Sequence, residues 1–171
     1  MPRKIKNEHP VHDKPGHLIR RLQQIAVALF AAETEAFGIT AVQYAALAAI
    51  RLQPGMDQTA LVNAVALDRS TLGDVVSRLE SKSLIRRAAG REDRRTKVLY
   101  VTREGEALLR AIEPHVASAQ RLILAPLKPA ERIRFMAMLR RLVQLNNDRS
   151  RAPLRLLEKR GPGRRPHRKG S

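Results

Sequence analysis

The 171-residue sequence contains no cysteine and no tryptophan, and only 3% of its residues are aromatic. The absence of cysteine excludes disulfides, thiolate metal sites and thiol catalysis. Because 43% of the residues are nevertheless hydrophobic, the core must be built mainly from Leu, Ile, Val and Ala, as in many helical bundles. A chain of this length can form one core or two small cores that are closely joined.

Acidic residues are also scarce: 16 Asp and Glu stand against 33 Lys and Arg, which gives a net charge of +17. This excess favours a polyanionic partner, with nucleic acid first and an anionic membrane surface second. The sequence has no apolar run long enough to span a bilayer, and its N-terminus lacks a signal-peptide core. We therefore expect a cytoplasmic protein without a membrane partner.

The motifs that commonly mark enzymes are missing from the sequence: there is no phosphate loop, nucleophile elbow, His-Glu metal helix or convergent carboxylate pair. We expect neither catalysis nor a cofactor. His9, His12 and His17 are loosely spaced, and no acidic or cysteine partner completes a metal site around them. We therefore predict no bound metal.

The hydrophobic pattern divides the chain into four parts. Residues 1–16 are polar and rich in Pro, which predicts a flexible arm. Residues 17–37 and 103–146 carry helical apolar stripes that are wider than one chain can bury, which predicts a helical dimerisation domain. Residues 38–102 are predicted to form a DNA-binding domain. Residues 149–171 contain nine Lys and Arg and one acid, which predicts a basic, disordered tail.

The segment 56–102 predicts a helix–turn–helix followed by a hairpin. Asp57 and Asp68 are expected N-caps of two short helices, and Thr102 is the expected cap of the long helix after the hairpin. Upstream of this segment, Thr40 and Gln43 fit a capping box at the start of another helix. The second helix has apolar residues at i, i+3, i+4 and i+7 (Leu72, Val75, Val76 and Leu79), which leaves a polar outer face. Strands at 84–89 and 97–101 bracket the cationic loop AGREDRRT. The predicted fold class is mainly α with a small β-hairpin wing, a winged helix–turn–helix joined to a helical dimerisation domain.

This arrangement suits double-stranded DNA, because the helix can enter the major groove while wing arginines reach phosphates or the minor groove. A solvated loop is the ordinary explanation of such a charge cluster, but the helix–turn–helix upstream favours DNA contact. Asp93 is expected to orient Arg95, and Arg78 is either a phosphate contact or plain surface. The predicted DNA-binding residues are Thr59, Arg69, Ser70, Thr71, Asp74, Arg78, Arg91, Asp93, Arg94 and Arg95.

The order of the elements and the loop motif resemble the MarR family of bacterial transcriptional regulators over about residues 17–146. The family's wing carries an Asp-x-Arg pair, here Asp93 and Arg95, and its second strand runs into a Thr-x-x-Gly turn, here Thr102 to Gly105. Within that family, the segments HDKPGHLIRRLQQIAVALF and VQYAAL are similar to repressors of nicotinate catabolism. One departure is Ser83, where relatives usually have Gly, and it predicts a tighter or differently turned end of the recognition helix.

The resemblance implies a homodimeric repressor that leaves an inverted-repeat operator when a small aromatic carboxylate binds, with 6-hydroxynicotinate as the favoured effector. It places the effector between the first two helices, which implicates His17, Arg20, Gln43, Tyr44 and Leu47. Arg20 or His17 would supply the counter-charge for a carboxylate. The ordinary explanation is that Tyr44 belongs to the core and His17 is a surface cap. Two other functions remain open: a non-specific architectural DNA-binding protein, and an effector-free or metal-responsive regulator.

Overall fold

A computed structural model of the chain describes residues 10–90 and 95–155. Within these residues, six α-helices and three short strands follow one another in the order α1 (Pro15–Thr34), α2 (Ala41–Leu52), β1 (Met56–Asp57), α3 (Gln58–Val65), α4 (Arg69–Ser81), β2 (Ile85–Ala89), β3 (Lys97–Val101), α5 (Arg103–Leu124) and α6 (Pro129–Asn146). Single 3₁₀ turns follow α1 and α6. The predicted class, mainly α with a small hairpin, is confirmed.

The helices begin where the sequence places N-caps. Thr40 and Gln43 form the predicted capping box, in which Gln43 N donates to Thr40 Oγ1 (3.2 Å) and Thr40 N donates to Gln43 Oε1 (3.1 Å). Asp57 accepts from Ala60 N at 2.7 Å, and Thr102 accepts from Gly105 N at 3.0 Å. Each bond satisfies a backbone N–H that has no partner inside its own helix.

The sheet contains one strand more than the sequence predicts. Its antiparallel order is β1-β3-β2, with Met56 opposite Leu99 and Ile85 opposite Val101. A strand of two residues has no recognisable alternation, so β1 could not be predicted. It joins the beginning of α3 to the hairpin and thereby fixes the helix–turn–helix against the wing.

One aliphatic core connects the helix–turn–helix, the sheet and the middle of α5. Leu47, Leu61, Leu79, Leu99 and Ile112 are all 0% exposed. The predicted inner stripe of α4 is confirmed, since all four of its residues are buried. The same cluster includes Phe30 of α1, so the core continues into the helices predicted for dimerisation.

The end of α4 keeps the left-handed geometry that relatives usually give to Gly. Ser83 has φ of 57°; its N–H donates to Glu80 O (2.8 Å), and Leu84 N donates to Leu79 O (3.0 Å). These two bonds form a Schellman motif. The prediction of a tighter or differently turned exit is therefore wrong: the paired bonds hold Ser83 in a conformation that a residue with a Cβ adopts only at some cost in free energy.

Helix α6 differs from the others because no residue between Pro129 and Asn146 is buried. Ile133 is 73% exposed, Leu142 57% and Leu145 72%. Helix α1 also has a bare apolar side, with Ile19 62% exposed. Within the described residues, no single helix is long and apolar enough to cross a membrane. Helices α1 and α2 reach the required length and hydropathy only as a pair, and this pair is bent by 71°. Helices buried in a protein core can meet the same criterion.

Candidate nucleic-acid interface

The outer surface of the helix–turn–helix is formed by the beginnings of α3 and α4. Asp68 caps α4 by accepting from the backbone N of Thr71 (2.9 Å) and from its hydroxyl (2.7 Å). These two bonds lower the pKa of the Asp68 carboxyl below its usual range, so the cap is ionised at neutral pH. The carboxylate fixes the first turn of the helix that is expected to approach DNA.

The predicted contacts of α4 lie on its open side. Arg69, Ser70, Asp74 and Arg78 are all exposed, as is Thr71. The Thr71 hydroxyl donates its proton to Asp68, so towards a ligand it can act only as an acceptor. The remaining four side chains are spread over three turns of one helix face and its borders.

A shallow hollow between α3 and α4 brings Thr59 of α3 and Arg69 of α4 to the same surface. Its lining residues are Gln58, Thr59, Val62, Arg69, Leu72 and Gly73. A Cβ on Gly73 would meet no described atom within 4 Å, so packing does not require this glycine. Sequence reasoning did not assign Gln58 and Gly73 to the site, although each adjoins a predicted residue, Gln58 in sequence and Gly73 one turn from Arg69.

The wing, formed by β2, β3 and their loop, is closed at the base of the loop by Gly90 N donating to Thr96 O (2.8 Å). Arg95 is exposed at the edge of that loop. Arg91, Asp93 and Arg94 lie outside the described residues, as does the pairing predicted between Asp93 and Arg95. The structure therefore positions the base of the wing.

Two arginines of β2 connect the wing to its surroundings. Arg87 Nε lies 3.2 Å from Glu80 Oε2 of α4, and the guanidinium of Arg86 lies 4.5 Å above the ring of Tyr100. The first contact connects the wing to α4, the recognition helix, and the second connects the two strands of the hairpin. Both contacts depend on the register and packing of the hairpin, and neither residue was predicted.

The predicted effector residues of α2 lie on the side of this helix that packs against α1 and α5. Leu47 is 0% and Gln43 4% exposed, and Gln43 Oε1 is engaged in the capping box. The Tyr44 hydroxyl donates to Glu113 Oε2 at 3.0 Å, while its ring packs 6.0 Å from that of Phe30. Burial and the Glu113 carboxylate raise the pKa of Tyr44, so its hydroxyl stays protonated.

The predicted effector residues of α1 lie elsewhere. Phe30, which touches Tyr44, follows Arg20 by ten residues and His17 by thirteen, which is about 15 and 20 Å along a helix axis. His17 instead packs against His12, with ring centroids 5.1 Å apart. Partial desolvation, followed by repulsion from Arg20, lowers the pKa of the His17 imidazole. Within one chain, the two groups of effector residues are not brought together.

The described residues contain no group of three or more His, Cys, Asp or Glu side chains that could hold a metal ion.

Two capped helices joined by a short turn, with a hairpin beside the second, define the winged helix–turn–helix class of DNA-binding proteins. The exposed cationic and polar face of α4 is the surface that this class presents to the major groove.

Comparison with known proteins agrees with that class. The family model described as MarR family matches residues 39–97. The transcriptional regulator HosA of Escherichia coli is 32% identical over 133 residues, covering 78% of this chain and 97% of HosA. The transcriptional repressor NicR of Pseudomonas putida is 29% identical over 135 residues, covering 79% of this chain and 85% of NicR.

A solved structure of BpsR from Bordetella bronchiseptica, whose DNA binding is regulated by 6-hydroxynicotinic acid, is also similar. It is 29% identical, has a TM-score of 0.73, and is matched over 83% of this chain and 97% of its own. The chain belongs to the MarR family of transcriptional regulators. It is a DNA-binding regulator, and the relatives named above are regulators as well.

Proposed function

We propose that the chain is a homodimeric repressor that binds an inverted-repeat operator and leaves it when a small aromatic carboxylate binds. The observation that carries this proposal is the apolar surface of α6, which residues 10–90 and 95–155 leave uncovered. Homodimers of this class present two recognition helices about 34 Å apart, one turn of DNA, and so read two half-sites. An architectural protein would have no need for such spacing.

The residues proposed to read each half-site are Thr59, Arg69, Ser70, Thr71, Asp74 and Arg78, with Arg91, Asp93, Arg94 and Arg95 of the wing. Arg69 stands in the first turn of α4, where free backbone N–H groups also favour phosphate. It is exposed beside the hollow that it shares with Thr59. This position supports a direct contact, to a base edge or to the neighbouring phosphate.

We expect Arg69→Ala to lower operator affinity about tenfold or more, which corresponds to the roughly 1–3 kcal/mol of one arginine contact. Arg121→Ala is the matched control, since it removes the same charge from an exposed site near the far end of α5. Its effect should stay below about twofold. Gel-shift titrations at fixed salt on operator and random DNA measure both. Equal losses for the two variants would favour the architectural alternative.

The effector is proposed to bind beside Tyr44 of one chain and Arg20 of its partner. The separation of about 15 Å along α1 within one chain supports a site built from two chains. Leu47 and Gln43 form its floor beneath Tyr44, and His17 lies one turn from Arg20. Glu113, which already accepts from Tyr44, would accept from a ring hydroxyl. A hydroxylated aromatic acid offers both groups, and similarity to BpsR supports 6-hydroxynicotinate.

Calorimetry with 6-hydroxynicotinate should show binding to the wild type and binding weakened tenfold or more by Arg20→Ala, because a charge-assisted bond contributes about 1.5–3 kcal/mol. Arg21→Ala is the matched control; Arg21 donates to Gln24 on the same helix and should change affinity less than about twofold. Absence of binding to the wild type would reject this effector. Equal binding by wild type and Arg20→Ala would reject the assigned residue.

A further inference from the structure

The residues that follow α6 form a defined turn, which we call the C-terminal strap (residues 147–155). It includes residues 149–155, the first part of the segment predicted to be a disordered tail. The side-chain amide of Asn147 holds both backbone groups of Leu154: its Oδ1 accepts from Leu154 N at 2.8 Å, and its Nδ2 donates to Leu154 O at 3.1 Å. Ser150 closes the turn inside, since its Oγ accepts from Ala152 N at 3.2 Å. One side chain therefore sets the path of the strap.

The strap ends on the helix–turn–helix. Arg155 N donates to Asn63 O at 3.0 Å, and Asn63 lies in the last turn of α3, where carbonyls have no partner within the helix. Directly after α3, Ala66 takes a left-handed φ of 52°. Ala66, Val143 of α6 and Leu154 line one hollow. The strap thus caps α3 immediately before the turn that leads to Arg69.

We propose that the C-terminal strap fixes the point from which residues 156–171 leave, beside the turn between α3 and α4, so that their cations bind the DNA flanking each half-site. This inference rests on the proposed function. Residues 156–171 contain six Lys and Arg and one Glu, which suits a phosphate backbone. The partner is duplex DNA rather than an acidic protein, because the exit point lies next to the helix that reads the operator.

The length of the chain limits where these cations act. Sixteen residues span at most about 55 Å, which equals about 16 base pairs at 3.4 Å each. Without the strap the exit point would move back to the end of α6, and nine more residues would add at most about 30 Å, or about nine base pairs. The strap therefore restricts the cations to the near flank and raises their local concentration there.

The absence of cysteine allows a direct test on the full chain. Ser171→Cys introduces a single thiol that carries an iron chelate, and cleavage of an operator fragment with long flanks maps where residue 171 travels. Asn147→Ala in this background removes both bonds to Leu154. The matched control is Asn146→Ala, which removes an identical amide from the neighbouring position, where Nδ2 donates to Leu142 O inside α6.

We call the chain that carries only Ser171→Cys the reference chain. We expect the reference chain and its Asn146→Ala derivative to cleave within about 16 base pairs of each recognition helix. Asn147→Ala should extend this window by several base pairs and lower the peak intensity threefold or more. No cleavage by the reference chain, an unchanged pattern for Asn147→Ala, or the same broadening in the control would each overturn the inference. If operator preference persists in a chain ending at Arg155, the proposed function stands regardless; loss of preference by the reference chain would reject both.

Discussion

Gly105→Ala is expected to destabilise the folded chain by about 3 kcal/mol or more, the upper end of what overpacking a core costs. A Cβ at Gly105 would lie 2.2 Å from Leu84 O and 2.7 Å from Val101 Cγ1, so backbone must move. Leu84 O also accepts from Thr102 N at 3.1 Å, and the Thr102 hydroxyl donates to Ser83 O at 2.6 Å. Relief of the clash would break the junction of α4, the wing and α5.

Urea unfolding followed by circular dichroism measures the effect. Gly73→Ala is the control, because its Cβ meets no described atom within 4 Å in the interior of α4. A helix-interior Gly→Ala change usually stabilises by about 0.5–1 kcal/mol, so the two variants should move in opposite directions. Equal stability of Gly105→Ala and the wild type would contradict the close approach.

Local signals predicted the elements of this fold well. The caps Thr40, Asp57, Asp68 and Thr102 and the buried stripe of α4 follow from rules that act within one turn of helix. What the sequence could not predict depends on tertiary neighbours: β1 pairs with residues more than forty positions away, and the strap reaches back to Asn63. Ser83 shows the same limit, because local preference pointed to another exit and the paired bonds of the Schellman motif decided it.

The candidate site divides in the same way. Helical periodicity was enough to place Arg69, Asp74 and Arg78 on an open face of α4. It could not give the position of α1 along the core, and the grouping of His17 and Arg20 with Tyr44 came from the family resemblance. The contact between Phe30 and Tyr44 is set by packing of whole helices, and it moves the two predicted groups apart within a chain.

Leu139→Glu is expected to split the dimer. Leu139 lies on α6 and its side chain is 37% exposed in the single chain, so a glutamate there keeps access to water while the two chains are apart. In the proposed interface it would place an unpaired charge in a dry surface, at a cost of about 3–5 kcal/mol. Two-fold symmetry places the change in both copies, so the dissociation constant should rise at least about 1,000-fold.

Sedimentation equilibrium measures the mass, and circular dichroism reports whether the separated chain remains folded. Gln144→Glu adds the same charge to an exposed position of the same helix, five residues further on and about 140° around its axis, and should leave the dimer intact. Operator binding should be lost together with the dimer, because the single recognition helix of a separated chain reads only one half-site. A wild-type chain that sediments as a folded, operator-binding monomer would contradict the proposed dimer, and a dimeric Leu139→Glu would exclude this face of α6 from the interface.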